Sequence, residues 1–460
     1  MDRHRLAAPL TLALAVLLAS CGTAPASPSA STLASPVPSA DASAAAATAS
    51  AGTGSVEPAP GSDSIVYPPN PGAIVVAIDA GHGGCLDWGV PDPSERGQAY
   101  AEETMTLEIA RRLEGLLVDD GIGVVMIRDE DEALAGDDYP PLDCHGPAFR
   151  DVNGDGLAGF GDDQLPEGTR TRDELQARLD VANLAGADAL ISIHINSPTE
   201  GGQPVEVAFT ETFYTDETPW GPTETARLAS SVQAAVVERL GGSATYERGD
   251  RGITAHNFYM VAPPLFEPTA ERPDPLRQPT RGGLMPVVLV EVGSITLRAE
   301  HDLLVSPGGQ DAVALGLFDG LAGFLSEREL AGRIGLADEP VGLAPIPVRG
   351  DGPPYWPPVI GAESIRLRLT NTGTADWPDG LELRAGWEAS DRPYLPRAPE
   401  QLAPLDAVVP ALAPGESVVV TAELPAAPDG RAVAWISLAD GSVTLADLGS
   451  PALQVANSGP

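Results

Sequence analysis

Cysteine is scarce. The 460-residue chain has three, none in a CxxC spacing, which argues against the usual cysteine-rich zinc sites. Positive charge is scarce as well: 27 Lys and Arg stand against 65 Asp and Glu, a formal net charge of −38. A chain with so few basic residues lacks the patch that a nucleic acid or another anionic polymer needs, and its negative excess serves solubility. Long apolar runs are missing beyond the N-terminus, so no downstream segment is able to cross a bilayer as a helix.

The N-terminus has its own character. Arg3, His4 and Arg5 precede a short apolar stretch, Leu10–Leu18. This is the pattern of an export signal, too short for a spanning helix. Leu18-Ala19-Ser20-Cys21 resembles a bacterial lipobox. That resemblance implies cleavage before Cys21 and lipidation of its thiol; the alternative is an ordinary secretory signal in which the cysteine is incidental. Residues 1–21 are therefore expected to be a lipoprotein signal peptide. The exported chain would be anchored to the outer face of the cell membrane, within the cell envelope. Residues 22–71 are almost all Ala, Ser, Thr, Pro and Gly, a composition that buries no core and acts as a disordered linker. Cys85 and Cys144 remain, and two cysteines in an exported chain suggest one disulfide.

From 72 to 328, apolar runs alternate with amphipathic stretches. The runs are Ile74–Ile78, Gly123–Ile127, Ala189–Ile195, Val205–Phe209 and Val287–Val292. Near-continuous Val, Ile, Leu and Ala predict strands buried on both faces. Met105, Ile109, Leu113 and Leu116 share one helical face, as do Leu175, Leu179 and Ala182; Thr223–Leu240 and Gln310–Leu325 predict two more helices. The expected fold class is α/β: a mixed, mostly parallel sheet covered by helices on both faces. Ligands in such sheets bind at the carboxyl ends of the strands. His82, His194 and Glu291 all fall there, and Glu102 opens a helical stretch. Two imidazoles and a carboxylate form a catalytic zinc shell with one open position, and a further carboxylate is able to shuttle protons.

Five ordered motifs give this pattern a family. They are Ile74–Gly84 (IVVAIDAGHGG), Glu102–Leu107 (EETMTL), Arg178–Asn183 with Ala187–Asn196, Arg251–Tyr259 (RGITAHNFY) and Val288–Ile295 (VLVEVGSI). Together they resemble the zinc-dependent N-acetylmuramoyl-L-alanine amidases of the amidase-3 family. The resemblance implies zinc ligands at His82, Glu102 and His194, with Glu291 as general base. It favours Glu102 over its neighbour Glu103. It also implies peptidoglycan as substrate, cleavage of the amide between N-acetylmuramic acid and L-alanine, and a role in cell-wall remodelling. Alternatives are a zinc peptidase on another cell-wall amide and a non-catalytic wall-binding lipoprotein. Asp79, Ser192 and Asn196 are candidates to orient the histidines. Arg251, His256 and Asn257 are candidates for the substrate groove.

Three further features stand outside that pattern. Asp151-Val152-Asn153-Gly154-Asp155-Gly156 has calcium-loop spacing, so Asp151, Asn153, Asp155, the Leu157 carbonyl and Asp162 are candidate calcium ligands. A solvated acidic turn is the alternative. The proline-rich stretch 261–283 is a candidate lid or groove wall, with a disordered decoration as the alternative. Residues 329–358 are expected to be a linker. From 359 to 460, short alternating strands, the NTGTADWPDG stretch and Trp377, Trp387 and Trp435 resemble the four-tryptophan immunoglobulin-like domains, which implies a small β-sandwich.

Overall fold

The computed structural model describes residues 74–84, 87–132, 134, 172–264, 280–337, 359–360, 364–389 and 401–457. Cys21, Cys85, Cys144 and the calcium-loop residues Asp151, Asn153, Asp155, Leu157 and Asp162 lie outside these, as does most of the proline-rich stretch. No helix among the described residues is long and apolar enough to cross a membrane.

The first half builds one sheet. Its strands are β1 (Val75–Ala80), β2 (Gly123–Met126), β3 (Ala189–Asn196), β6 (Phe209–Tyr214), β7 (Gly249–Ala255) and β8 (Val287–Ser294); β4 (Thr199–Glu200) and β5 (Gln203–Pro204) form a small separate hairpin. The order is β2-β1-β3-β8-β6-β7. The first four strands run parallel, and β6 turns antiparallel to β8 with β7 parallel beside it. Helices α1 (Glu102–Asp119), α3 (Pro222–Ser243) and α5 (Pro307–Ser326) pack on one face through Ile109, Leu113, Val232 and Leu317. Helix α2 (Arg172–Leu184) covers the other through Leu179 and Ala182, together with Tyr259 and Met260. A short helix, α4 (Arg298–Val305), follows β8. Burial on both faces explains the continuous apolar runs, since each enclosed Val, Leu or Ile stabilises by about 1.5–3 kcal/mol. Strands β3 and β8 are fully buried except at His194, Asn196 and Glu291, which keep partial exposure.

Two expectations are corrected here. The strand predicted at Val205–Phe209 instead begins at Phe209. Residues 205–208 belong to no strand, and the Val207 N–H donates to the Val205 carbonyl at 2.9 Å. Apolar content does not mark β6, because the strand buries two polar residues. Thr210 donates to the Val292 carbonyl at 2.9 Å and Thr212 to Gln233 Oε1 at 2.8 Å, which satisfies both hydroxyls. The linker expected from 329 also fails at its start. Strand β9 (Gly332–Leu336) follows α5 after a few residues and pairs with a strand of the second half.

That second half adds β10 (Val359–Ile360), β11 (Ser364–Asn371), β12 (Glu382–Ala389), β13 (Ala403–Pro404), β14 (Ser417–Glu423), β15 (Ala432–Asp440), β16 (Val443–Thr444) and β17 (Leu453–Asn457). One sheet has the order β10-β17-β15-β12-β13, with β16 beside β15; the other has β14-β11-β9. Leu367, Leu369, Leu383, Ile436 and Val455 from both sheets share one core with Trp377. Strand β15 is buried on its other face as well, where Val433 and Trp435 meet Trp220 and Leu284 of the first half. The Trp220 and Trp435 rings stack 5.2 Å apart. Below them Asp188, at the foot of β3, accepts from Arg328 (3.3 Å), Arg333 (2.7 Å) and Thr372 (3.1 Å). The second half is therefore docked at the amino-terminal edge of the parallel strands, opposite the end that carries His194.

Candidate metal centre and active site

The peptide leaving β1 turns sharply. His82 itself adopts a left-handed conformation with φ 63°, followed by Gly83 and Gly84, also at positive φ. A non-glycine residue there carries local strain, a recurrent feature of functional sites. Two buried arginines hold the turn by its carbonyls. Arg178 donates to Ala80 O at 2.9 Å and His82 O at 2.7 Å; Arg128 donates to Ala80 O at 2.8 Å and Gly81 O at 3.0 Å. Arg128 reaches the Glu103 carbonyl as well, at 2.8 Å, which ties the turn to the first turn of α1.

Three side chains meet above this turn. His82 Nε2 lies 3.2 Å from Glu102 Oε1, His194 Nδ1 lies 3.2 Å from the same oxygen, and the two ring nitrogens are 3.1 Å apart. A tetrahedral cation with nitrogen and oxygen bonds near 2.0–2.1 Å spaces its donor atoms by about 3.3 Å. The triangle therefore fits a small divalent cation, and these residues are the His/Cys/Asp/Glu cluster of metal-holding geometry among the described residues. Electrostatics point the same way. Burial alone would lower the proton affinity of His82, but the Asp87 and Glu102 carboxylates override it and hold the imidazole well above the ordinary histidine range. Glu102 is held well below the carboxylate range, against its burial, by the two histidines. A pocket that favours positive charge on its nitrogens is one that welcomes a cation.

Glu102 is oriented by two backbone N–H groups, Val90 to Oε2 at 2.9 Å and Ile195 to Oε1 at 2.8 Å. Glu103 points elsewhere and accepts from Gln98. Close packing leaves no slack. A Cβ on Gly81 would stand 2.6 Å from His194 Nε2. One on Gly89 would stand 2.6 Å from both Glu102 Oε2 and His82 Cδ2, at a backbone φ of 63° that already favours glycine.

Glu291 stands beside this cluster by strand register. On β8 it is directly opposite His194 of β3 on one side and Glu211 of β6 on the other. Its Oε2 is buried without a hydrogen-bond partner among the described residues. Burial, then the nearby Glu102 charge, and also Glu211, push its carboxyl well above the usual range, with His82 opposing. A carboxyl in this state retains or accepts a proton readily.

The residues expected to orient the histidines do something else. Asp79 accepts from Arg178 at 2.7 Å and from Ser192 at 2.6 Å, a buried network below the turn. Among the described residues, neither these nor the Asn196 side chain bonds a histidine ring. Beyond Glu102, the carboxylate that does is Asp87, whose Oδ1 lies 2.8 Å from His82 Nδ1. The sequence signal for it was its place five residues past His82, within reach of a loop that folds back. Glu211 was also missed, because it lies in the strand whose start was misread.

The groove candidates cluster at the far edge of the sheet. Arg251 on β7 packs its guanidinium 3.4 Å from the centre of the Phe209 ring and pairs with Glu211 at 3.5 Å, so it reaches the site through that carboxylate. His256 packs against Phe258 beyond the end of β7, and Asn257 accepts from Thr215 at 2.8 Å.

The germination-specific N-acetylmuramoyl-L-alanine amidase of Bacillus subtilis is 24% identical over 260 residues, 55% of this chain and 81% of that protein. Among solved structures, an N-acetylmuramoyl-L-alanine amidase from Clostridium difficile 630 is 24% identical, covering 56% of this chain and 98% of its own, with a TM-score of 0.38. AmiC2 of Nostoc punctiforme is 24% identical, covering 55% and 97%, with a TM-score of 0.36. The Amidase_3 family model, described as N-acetylmuramoyl-L-alanine amidase, matches residues 76–323. That span is more than half of the chain and includes every side chain of the cluster, and the chain belongs to the N-acetylmuramoyl-L-alanine amidase family.

Proposed function

We propose that zinc is the cation held by His82, Glu102 and His194, and that Glu291 is the general base of the amidase reaction. The reaction is the family's: hydrolysis of peptidoglycan at the amide between N-acetylmuramic acid and L-alanine, a step in cell-wall remodelling. The observation that carries the reading is the 3.1–3.2 Å triangle of two imidazole nitrogens and one carboxylate oxygen with Glu291 beside it. Two nitrogen donors and one oxygen donor suit zinc and leave a position open. When bound there, zinc supplies Lewis acidity, acidifying water and polarising an amide carbonyl.

This chain's own groups do the rest. Glu291 accepts a proton from the water as its oxygen attacks the amide carbon. As the carbon–nitrogen bond breaks, the same carboxyl donates that proton to the departing L-alanine nitrogen. Val90 and Ile195 hold Glu102 through their N–H groups, so the donor triangle is built before substrate arrives. Export and anchoring through Cys21 belong to the same proposal, supported by the N-terminal sequence, and would place the catalytic half, 72–328, at the wall. An immunoglobulin-like sandwich for 359–460 is supported by two sheets sharing one core around Trp377.

The test is digestion of purified peptidoglycan by the full chain, with products read by mass spectrometry. Glu291→Gln is expected to lower turnover by about 10²–10⁴-fold while retaining zinc. Chelation is expected to abolish activity and zinc to restore it. Wild-type turnover by Glu291→Gln would refute the assignment.

A further inference from the structure

One loop touches two of the three metal-facing side chains. The Asp87 carboxylate lies 2.8 Å from His82 Nδ1 and accepts the Gly89 N–H at 3.1 Å. The loop's backbone is pinned at both ends. Gly83 N donates to Asp87 O at 2.8 Å, Glu102 N to Val90 O at 3.0 Å and Glu103 N to Trp88 O at 3.3 Å. Val90 N donates in turn to Glu102 Oε2 at 2.9 Å. His194 has no equivalent carboxylate on its far nitrogen among the described residues; beside its ring lies Gly81, where a Cβ would stand 2.5 Å from Cε1.

A neutral imidazole carries one N–H and one lone pair. With Asp87 accepting at Nδ1, the proton belongs on that nitrogen, and the Nε2 lone pair faces Glu102 Oε1 and His194 Nδ1. Without the carboxylate, the other tautomer would put a proton where the cation must bind, and the ring would be free to swing about its side-chain bonds. We propose that Asp87 is a positioning residue that fixes the tautomer and ring plane of His82 and thereby sets the metal affinity of the site. A carboxylate behind a ligating imidazole also raises the basicity of the ligand. The inference rests on the metal reading above and assigns to Asp87 a role that neither Asp79 nor Ser192 is placed to perform.

The experiment measures zinc affinity of the full chain by competition with a chromophoric chelator, for wild type, Asp87→Asn, Asp87→Ala and Asp87→Glu. Binding is expected to weaken by about 10–100-fold in Asp87→Asn and Asp87→Ala, with recovery in Asp87→Glu. Metal-free Asp87→Asn is expected to unfold in one cooperative transition, as the wild type does, at a somewhat lower temperature because the Asp87–His82 charge pair is lost. The visible spectrum of the cobalt(II)-loaded protein is expected to change in Asp87→Asn, reporting altered ligand geometry. If Asp87→Ala folds poorly, the isosteric Asp87→Asn decides. Zinc affinity within about twofold of wild type in Asp87→Asn would overturn the proposal, since removal of a true supporting partner costs more. Absence of zinc binding by the wild type would instead overturn the metal reading on which it rests.

Discussion

Replacing Asp188 with alanine tests how the two halves of this amidase depend on each other. The carboxylate is fully buried at the foot of β3. It accepts from Val75 N at 2.9 Å within its own sheet, from Arg328 at 3.3 Å just after α5, and from Arg333 at 2.7 Å and Thr372 at 3.1 Å in the second half. Alanine would remove the charge that compensates the buried Arg328 guanidinium. Breaking one side of a buried ion pair costs about 3–5 kcal/mol, a large share of the roughly 5–15 kcal/mol that holds a domain folded. Because Arg333 and Thr372 lie on β9 and beside β11, the loss falls on the docking of the halves rather than on either core. Urea unfolding followed by far-UV circular dichroism and tryptophan fluorescence would read it. The stacked Trp220 and Trp435 report the junction directly. The expected outcome is a fluorescence transition that moves to lower urea and separates from the loss of secondary structure. The double variant Asp188→Ala/Arg328→Met is expected to recover part of the loss, because no buried charge is then stranded at Arg328. A loss below about 1 kcal/mol with coincident transitions would refute the argument and leave the halves independent.

Two further outcomes follow from the site. Glu103 is buried beside Asp131, and burial, relieved in part by Gln98, pushes its carboxyl up to about 7 from the ordinary 4.5. A raised folded-state value means the protonated form is favoured on folding, so its contribution is complete below about 4.5 and is lost as pH rises through about 7. Glu103→Gln is expected to flatten the fall in melting temperature between pH 5 and about 8; an unchanged slope would sink this account. Gly89→Ala would force a methyl group to within 2.6 Å of Glu102 Oε2 at a φ of 63°. It is expected to cost about 1–2 kcal/mol in melting experiments and, with zinc as the proposed cation, to weaken its binding in a calorimetric titration. Wild-type zinc binding would show that the loop yields without disturbing Glu102.

Much of the architecture was legible in residue order. Ile74–Ile78, Ala189–Ile195 and Val287–Val292 announce strands buried on two faces, since only such strands tolerate unbroken apolar runs. Helices α1, α3 and α5 follow from their periodic apolar faces. His82, His194 and Glu291 were legible as strand-end residues, and the ordered family motifs grouped them with Glu102; the fold brings His82, Glu102 and His194 within reach of one ion. Helix α4 and strand β7 went unread. Polar positions hid β6, whose threonines are satisfied by partners far along the chain.

Other features required the folded molecule. His82 and His194 are 112 residues apart, yet their nitrogens approach to 3.1 Å because β1 and β3 pair in one register. Glu211 comes opposite Glu291 because β6 reverses direction beside β8. Asp87 reaches His82 because a loop folds back, and Arg128 braces a turn that lies 47 residues earlier. The docking of the second half on Asp188 and Trp220 belongs with these. Local composition decides which segments become strands and helices, because propensity and periodicity act over a few neighbouring residues. Register, loop return and domain docking arise from contacts between distant segments, whose free energy appears only when the whole sheet has assembled.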